Sequence, residues 1–402
     1  MRTPAQQRSR AGKRALAALL AAGYAALAAA TPYVPAADAT VLERVPARSE
    51  LERLAPLRAT VAASPGDFAA AAALATAYID LGRRNSDPRF IAYAQATLVR
   101  WLAPQAHPPA RALVLQAITL QYLHQFDAAL ALLERALTLA PLDAQAWLTR
   151  ASLLELRGDY AAARRACARL VRTTDDFTAL TCLGSVAGRN GQLAASYAAL
   201  TTPSGLDSRL PGALRAWRLT VIAEMAERLG DDRAAESALQ ASLLAADDDP
   251  YVKAAYADLL LRIGRPAEVL TVLAGNEAQD PLLLRLAIAA HRLASPQAPE
   301  LIQTYEARLQ AAERDGDRTH ERERALYLLE VRHDAAGALE HARRNWAVQR
   351  EPADVRIYAR AAASAHSGAD CAQLVHWLAE THYEDRSLAI ARGCDASPGG
   401  PS

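Results

Sequence analysis

Residues 147–170 read WLTRASLLELRGDYAAARRACARL. Two runs rich in alanine and leucine flank Gly158, Asp159 and Tyr160. A glycine there can take the left-handed backbone that ends a helix. An aspartate after it can cap the start of the next helix. Tyr160 is then placed to pack back under the turn, so the stretch predicts a helical hairpin with GDY at its corner.

The shape recurs along the chain. Trp147, Ala151, Gly158, Tyr160 and Ala163 have counterparts 34 residues upstream in Leu113, Ala117, His124, Phe126 and Ala129, and Pro141 closes that upstream unit. Downstream, Ala223 and Gly230 recur as Ala257 and Gly264, again 34 apart, while Gly184 and Gly191 follow Ala151 and Gly158 by 33. A fixed period in this range marks a solenoid, whose units bury their apolar faces only on stacking. The small residue at Ala117, Ala151, Ala223 and Ala257 lets two helices approach closely.

Composition agrees with an all-α chain. Apolar residues make up 51% of the 402, yet aromatics only 5%, so the apolar content is mostly the strong helix formers alanine and leucine. Two lysines, Lys13 and Lys253, stand against 43 arginines, the bias of a GC-rich bacterial gene. Residues 1–30 hold five basic groups and no acid. Without them 40 basic face 44 acidic residues, a net of −4, which gives no electrostatic reason to bind nucleic acid.

The N-terminus has its own pattern. Basic residues to Arg14 precede the apolar run 15–30, ALAALLAAGYAALAAA, and then TPYVPAADA. This order predicts a secretory signal peptide over 1–30, cleaved after Ala30 or Ala39, and a periplasmic mature protein. The alternative is an uncleaved anchor and a membrane-tethered adaptor. The run is short for a span of roughly 20 residues.

The 34-residue period, the Trp/Leu, Ala, Gly-Asp-Tyr and Ala spacing, and the closing Pro141 resemble the tetratricopeptide repeat, most specifically over 110–176 and well over 216–280. The resemblance implies a right-handed α-solenoid of eight or nine hairpins over 49–393, after a linker at 31–48 and before a disordered tail at 394–402. The fit is looser elsewhere. RRNSDPR is expected to lengthen the first turn, and residues 202–212 to insert a loop. PLLLRLAIAAHRL, PELIQTYEARLQAAERDG, HERERALYLLEVR, AAGALEHARRNWAVQREP, DVRIYARAAASAH and CAQLVHWLAETH read as further helices.

The resemblance also implies a function. First helices of such repeats line a concave groove that holds a protein partner. Carried onto this chain, the groove positions are Gln121, Tyr122, Gln145, Glu155, Arg189, Trp217, Glu224, Glu227, Arg228, Tyr251, Asp258 and Arg262. The expectation is a protein-binding scaffold in the cell envelope, with no cofactor and no enzymatic role.

Two other constellations bear on chemistry. His341, His366, Cys371, His376 and His382 gather near the C-terminus, and a metal-handling protein or enzyme using them is the rival reading. Their spacings of five and six do not converge on one helix face. Asp247, Asp248 and Asp249 lack the alternation of a calcium loop. Cys167 and Cys182 sit in neighbouring antiparallel helices near their joining loop, which predicts a disulfide in an exported protein. Cys371 and Cys394 form a weaker candidate pair.

Overall fold

The computed structural model describes residues 49–202, 210–246, 249–314 and 319–388. The chain divides into two units, Met1–Glu52 and Arg53–Ser402, and all the hairpins belong to the second. The expected signal segment, linker, C-terminal tail and Cys394 lie outside the described residues.

After a helix at Ala55–Ala63, nine helical hairpins follow one another, with no strand among the described residues. Hairpin 1 pairs Phe68–Asn85 with Pro88–Leu102, hairpin 2 Ala110–Tyr122 with Phe126–Leu139, and hairpin 3 Ala144–Leu156 with Tyr160–Leu170. Hairpin 4 pairs Asp176–Gly188 with Leu193–Thr201, hairpin 5 Gly212–Leu229 with Asp232–Ala245, and hairpin 6 Pro250–Arg262 with Pro266–Val272. Hairpin 7 pairs Asp280–Arg292 with Ala298–Arg314. In hairpin 8, Glu321–Tyr327 runs on through a π turn, Leu328–Arg332, before Ala335–Val348, and hairpin 9 joins Pro352–Ser364 to Gly368–Thr381.

Local chemistry sets these boundaries. Asp67, Asp87, Asp143, Asp159, Asp175, Asp231, Asp249 and Asp334 each hold an N-cap, where the carboxylate accepts a backbone N–H of the first turn. Such a cap contributes about 0.5–2 kcal/mol over alanine. Asp249, taken from the acidic triplet, is thus a cap; Asp247 and Asp248 lie outside the described residues. Pro352 opens the first helix of hairpin 9, at a position where its missing N–H costs nothing.

Gly158, Gly191, Gly230 and Gly264 turn between helices with φ of 76° to 79°. Ser86, His124, Ala294, His333 and His366 do the same without glycine, and His382 ends helix Gly368–Thr381 in that conformation. Histidine is among the residues enriched in this region. EVRHDA at 330–335 is therefore the same corner as ELRGDY at 155–160, a likeness the sequence reading missed. Contrary to the expectation from sequence, the RRNSDPR stretch does not lengthen the turn of hairpin 1. The helix itself runs on to Asn85, and only Ser86 and Asp87 separate it from Pro88.

Packing follows the period. Ala117, Ala151, Ala223 and Ala257 are buried to 1% exposure or less, and Tyr160 and Phe126 lie buried beneath their turns. Where hairpin 4 has Gly184, a Cβ would come within 3.0 Å of Leu200 Cδ1, so the seam is tighter still. Trp147 is held between units: its indole N–H donates to the Pro141 carbonyl at 2.8 Å, and the guanidinium groups of Arg150 and Arg169 lie 5.9 and 5.6 Å from its ring. Cys167 and Cys182 are joined by a disulfide with their Cα atoms 5.6 Å apart, clamping hairpin 3 to hairpin 4. Cys371 is disulfide-bonded as well.

Candidate functional site

The first helices of hairpins 3 to 5 carry charged residues at repeat-equivalent places, Glu155, Arg189 and Glu224, and there the signs alternate. Arg189 lies 3.1 Å from Glu155, one repeat before it, and 3.3 Å from Glu224 after it. Glu224 also accepts the Tyr251 hydroxyl at 2.8 Å. Glu227 takes the guanidinium of Arg356, and Arg262 pairs with Asp232 at 2.6 Å. Further on, Arg285 pairs with Asp258 at 2.7 Å and lies 3.8 Å from Glu323, while Arg322 holds Glu351 at 2.7 Å. Burial pushes the Glu155 carboxyl up, against the pull of Arg189 and of the Ser185 hydroxyl. The Arg189 guanidinium, flanked by two carboxylates that outweigh its burial, is held well above its usual range.

This ladder changes the reading of the groove residues. Arg189, Glu227 and Arg228 are buried, at 7%, 8% and 1% exposure, and spend their hydrogen bonds within the chain. Glu155, Glu224, Asp258 and Arg262 are likewise ion-paired in the chain, and Gln145 donates to Thr149 on its own helix. Trp217 is half-buried and packs against two core clusters, so it is a packing residue rather than a groove anchor. Gln121 is half-buried. The two tyrosines remain open: Tyr122 is 38% and Tyr251 43% exposed. Burial of part of each ring raises both hydroxyls; Tyr122 also feels the charges of Arg83 and Asp249, and Tyr251 those of Glu224 and Glu351. Arg83 reaches Asp249 at 3.7 Å, so the end of the first helix of hairpin 1 meets the start of hairpin 6 beside these tyrosines.

The chain closes on itself at the turns of hairpins 3 to 5. The Arg350 N–H donates to the Leu156 carbonyl at 2.7 Å and its guanidinium to the Arg157 carbonyl at 2.6 Å. Beyond hairpin 9, residues 382–388 leave the helix and run across the next turns. Asn190 donates to the Thr381 carbonyl at 2.6 Å, and the Leu193 N–H donates to Glu384 at 3.3 Å. The Arg386 N–H donates to the Arg228 carbonyl at 2.7 Å, and its guanidinium reaches the Leu229 carbonyl at 3.3 Å. Tyr383 is buried against Trp377 and under the Arg228 guanidinium, 5.1 Å from its ring. No sequence signal marked this strap, because its partners lie up to 191 residues away.

With nine stacked hairpins on the page, the comparison with known families is direct: the tetratricopeptide repeat family matches residues 114–176. The match covers most of hairpin 2 and all of hairpin 3. No curated protein matches it. Among solved structures it is similar to a tetratricopeptide repeat protein from Parabacteroides merdae ATCC 43184, at 14% identity over 57% of this chain and 92% of that one, with a TM-score of 0.38. The APC/C hetero-tetramer Cut9–Hcn1 aligns at 15% identity over 78% of this chain and 52% of that one, with a TM-score of 0.40. Yeast Tom70 aligns at 10% identity over 76% and 84%, with a TM-score of 0.24.

The C-terminal histidines are dispersed. His366 and His382 form helix-ending turns, His341 lies 2.6 Å from Glu321, and His376 pairs along its own helix with Glu380 at 3.2 Å. Among the described residues no three His, Cys, Asp or Glu side chains are grouped to hold a metal.

Proposed function

We propose that this protein is exported and acts as a protein-binding scaffold in the cell envelope, gripping its partner at the mouth formed by Tyr122 and Tyr251. The carrying observation is the contrast within the groove. Its charged positions are consumed by the internal ladder, while these two aromatics stay exposed beside Arg83 and Asp249. Exposed aromatics with a charged rim suit a specific protein contact. Export is supported by the basic and apolar pattern of residues 1–30 and by the Cys167–Cys182 bridge, of a kind that persists in oxidising compartments.

Two measurements test the parts separately. N-terminal sequencing of the protein recovered from cells should begin at Thr31 or Thr40. An intact Met1 would assign the chain to a tethered adaptor instead. Tyr122→Ala with Tyr251→Ala should abolish capture of the partner by the mature protein at an unchanged melting temperature. Undiminished capture would move the contact elsewhere.

A further inference from the structure

The strap across the turns of hairpins 3 to 5 is bound by groups that belong to the scaffold. Helix ends offer them: carbonyls at the C-terminal ends of first helices, and an N–H at the N-terminus of a second helix, groups left unpaired by the helix itself. The Arg228 and Leu229 carbonyls take the main-chain N–H and the guanidinium of Arg386. Leu156 and Arg157, placed before Gly158 as Arg228 and Leu229 are before Gly230, take the same two groups of Arg350. The corner thus reads an arginine twice in the same way. Between them Leu193 takes the Glu384 carboxylate, and the Arg228 guanidinium covers the Tyr383 ring.

The fit is incomplete. Tyr160 Oη, Arg228 Nε, Arg350 Nε and Tyr383 Oη are buried at this seam with no hydrogen-bond partner within the chain, while Asp385 Oδ2 lies 4.0 Å from Arg356 Nε. Buried unpaired polar atoms weigh against the closed state. The seam joins residues more than 150 positions apart, with a non-helical segment on one side.

We propose that the turn edge of hairpins 3 to 5 is a docking ledge for a non-helical segment of a partner protein carrying an aromatic residue, an acid and then an arginine, and that Thr381–Leu388 occupies it in cis until displaced. The strap is the template for that partner: Tyr383 fills the aromatic place, Glu384 meets the helix N-terminus, and Arg386 meets the carbonyls. It is a surface distinct in its residues from the Tyr122 and Tyr251 mouth.

The test uses the mature full chain and a fluorescent peptide of sequence THYEDRSL, residues 381–388. Tyr383→Ala with Arg386→Ala should loosen the strap. The peptide should then bind this variant at least about tenfold more tightly than the wild type, whose ledge is filled in most molecules. A peptide with alanine for its arginine should bind more weakly. No saturable binding to the variant, or equal binding to both proteins, would overturn the proposal. Amide exchange of the unaltered chain gives a second reading, independent of how the variant folds. Residues 383–388 should exchange faster than helix Gly368–Thr381, and faster again in excess unlabelled peptide. Protection equal to that helix, unmoved by peptide, would count against it.

Discussion

Arg189 Nε lies 3.1 Å from Glu155 Oε1, one repeat earlier in the chain, with both side chains nearly withdrawn from solvent. The pair is one rung of the ion-pair ladder along the first helices. Removing one partner strands a buried charge. Arg189→Leu should therefore cost about 3–5 kcal/mol. Adding Glu155→Leu should return part of that loss, because one of the two carboxylates left without Arg189 is then gone. Chemical denaturation of the two variants checks this, and additive losses would argue against a coupled rung.

Ala151 lies in the helix seam at 1% exposure. Ala151→Leu should overpack it and cost about 1–3 kcal/mol. Ala161, at the start of the second helix of the same hairpin, is exposed and serves as the comparator. Ala161→Leu should leave stability within about 0.5 kcal/mol of the wild type. Equal effects on thermal unfolding would contradict the packing register.

The Cys167–Cys182 bridge closes a separation of 15 residues. In the chain-entropy model it stabilises by about 3 kcal/mol. Replacing both cysteines with alanine should lower stability by about that amount. Reductant should act slowly on the native protein, since both residues are buried. Rapid reduction without unfolding would contradict the placement.

Burial alone would raise the Glu323 carboxyl, but Arg322 at 3.3 Å and Arg285 at 3.8 Å outweigh it and hold it down to about 2, against an ordinary 4.5. A folded-state value below the unfolded one gives stability that is complete above the ordinary value. It is lost as pH falls through the window from 4.5 to about 2. Glu323→Gln should be less stable than wild type at neutral pH, and the gap should shrink towards the acid end. A gap independent of pH would mean the carboxylate is not the cause.

Much of the fold was legible because its determinants are local. Gly158 and Asp159 define a corner, Ala151 and Ala223 a seam, and Cys167 and Cys182 lie either side of one short loop. The non-glycine corners at His124 and His333 were harder, since histidine reaches the left-handed region without announcing it. The positions carried over for the groove fall along the first helices or at their ends, yet their pairing depends on how the superhelix coils. That coil is the sum of small rotations per repeat. It brings Arg356 to Glu227, 129 residues away, and Arg386 to the turn at Gly230. No spacing in the sequence encodes those meetings.

The most direct test of the scaffold account is site-specific cross-linking in cells. A photoreactive phenylalanine analogue would replace Tyr122 in the full chain, and a control chain would carry it at the exposed Val171. The account predicts one defined adduct with an envelope protein from position 122, lost when Tyr251→Ala is added and absent from position 171. No adduct at 122, or the same adducts from both positions, would contradict it.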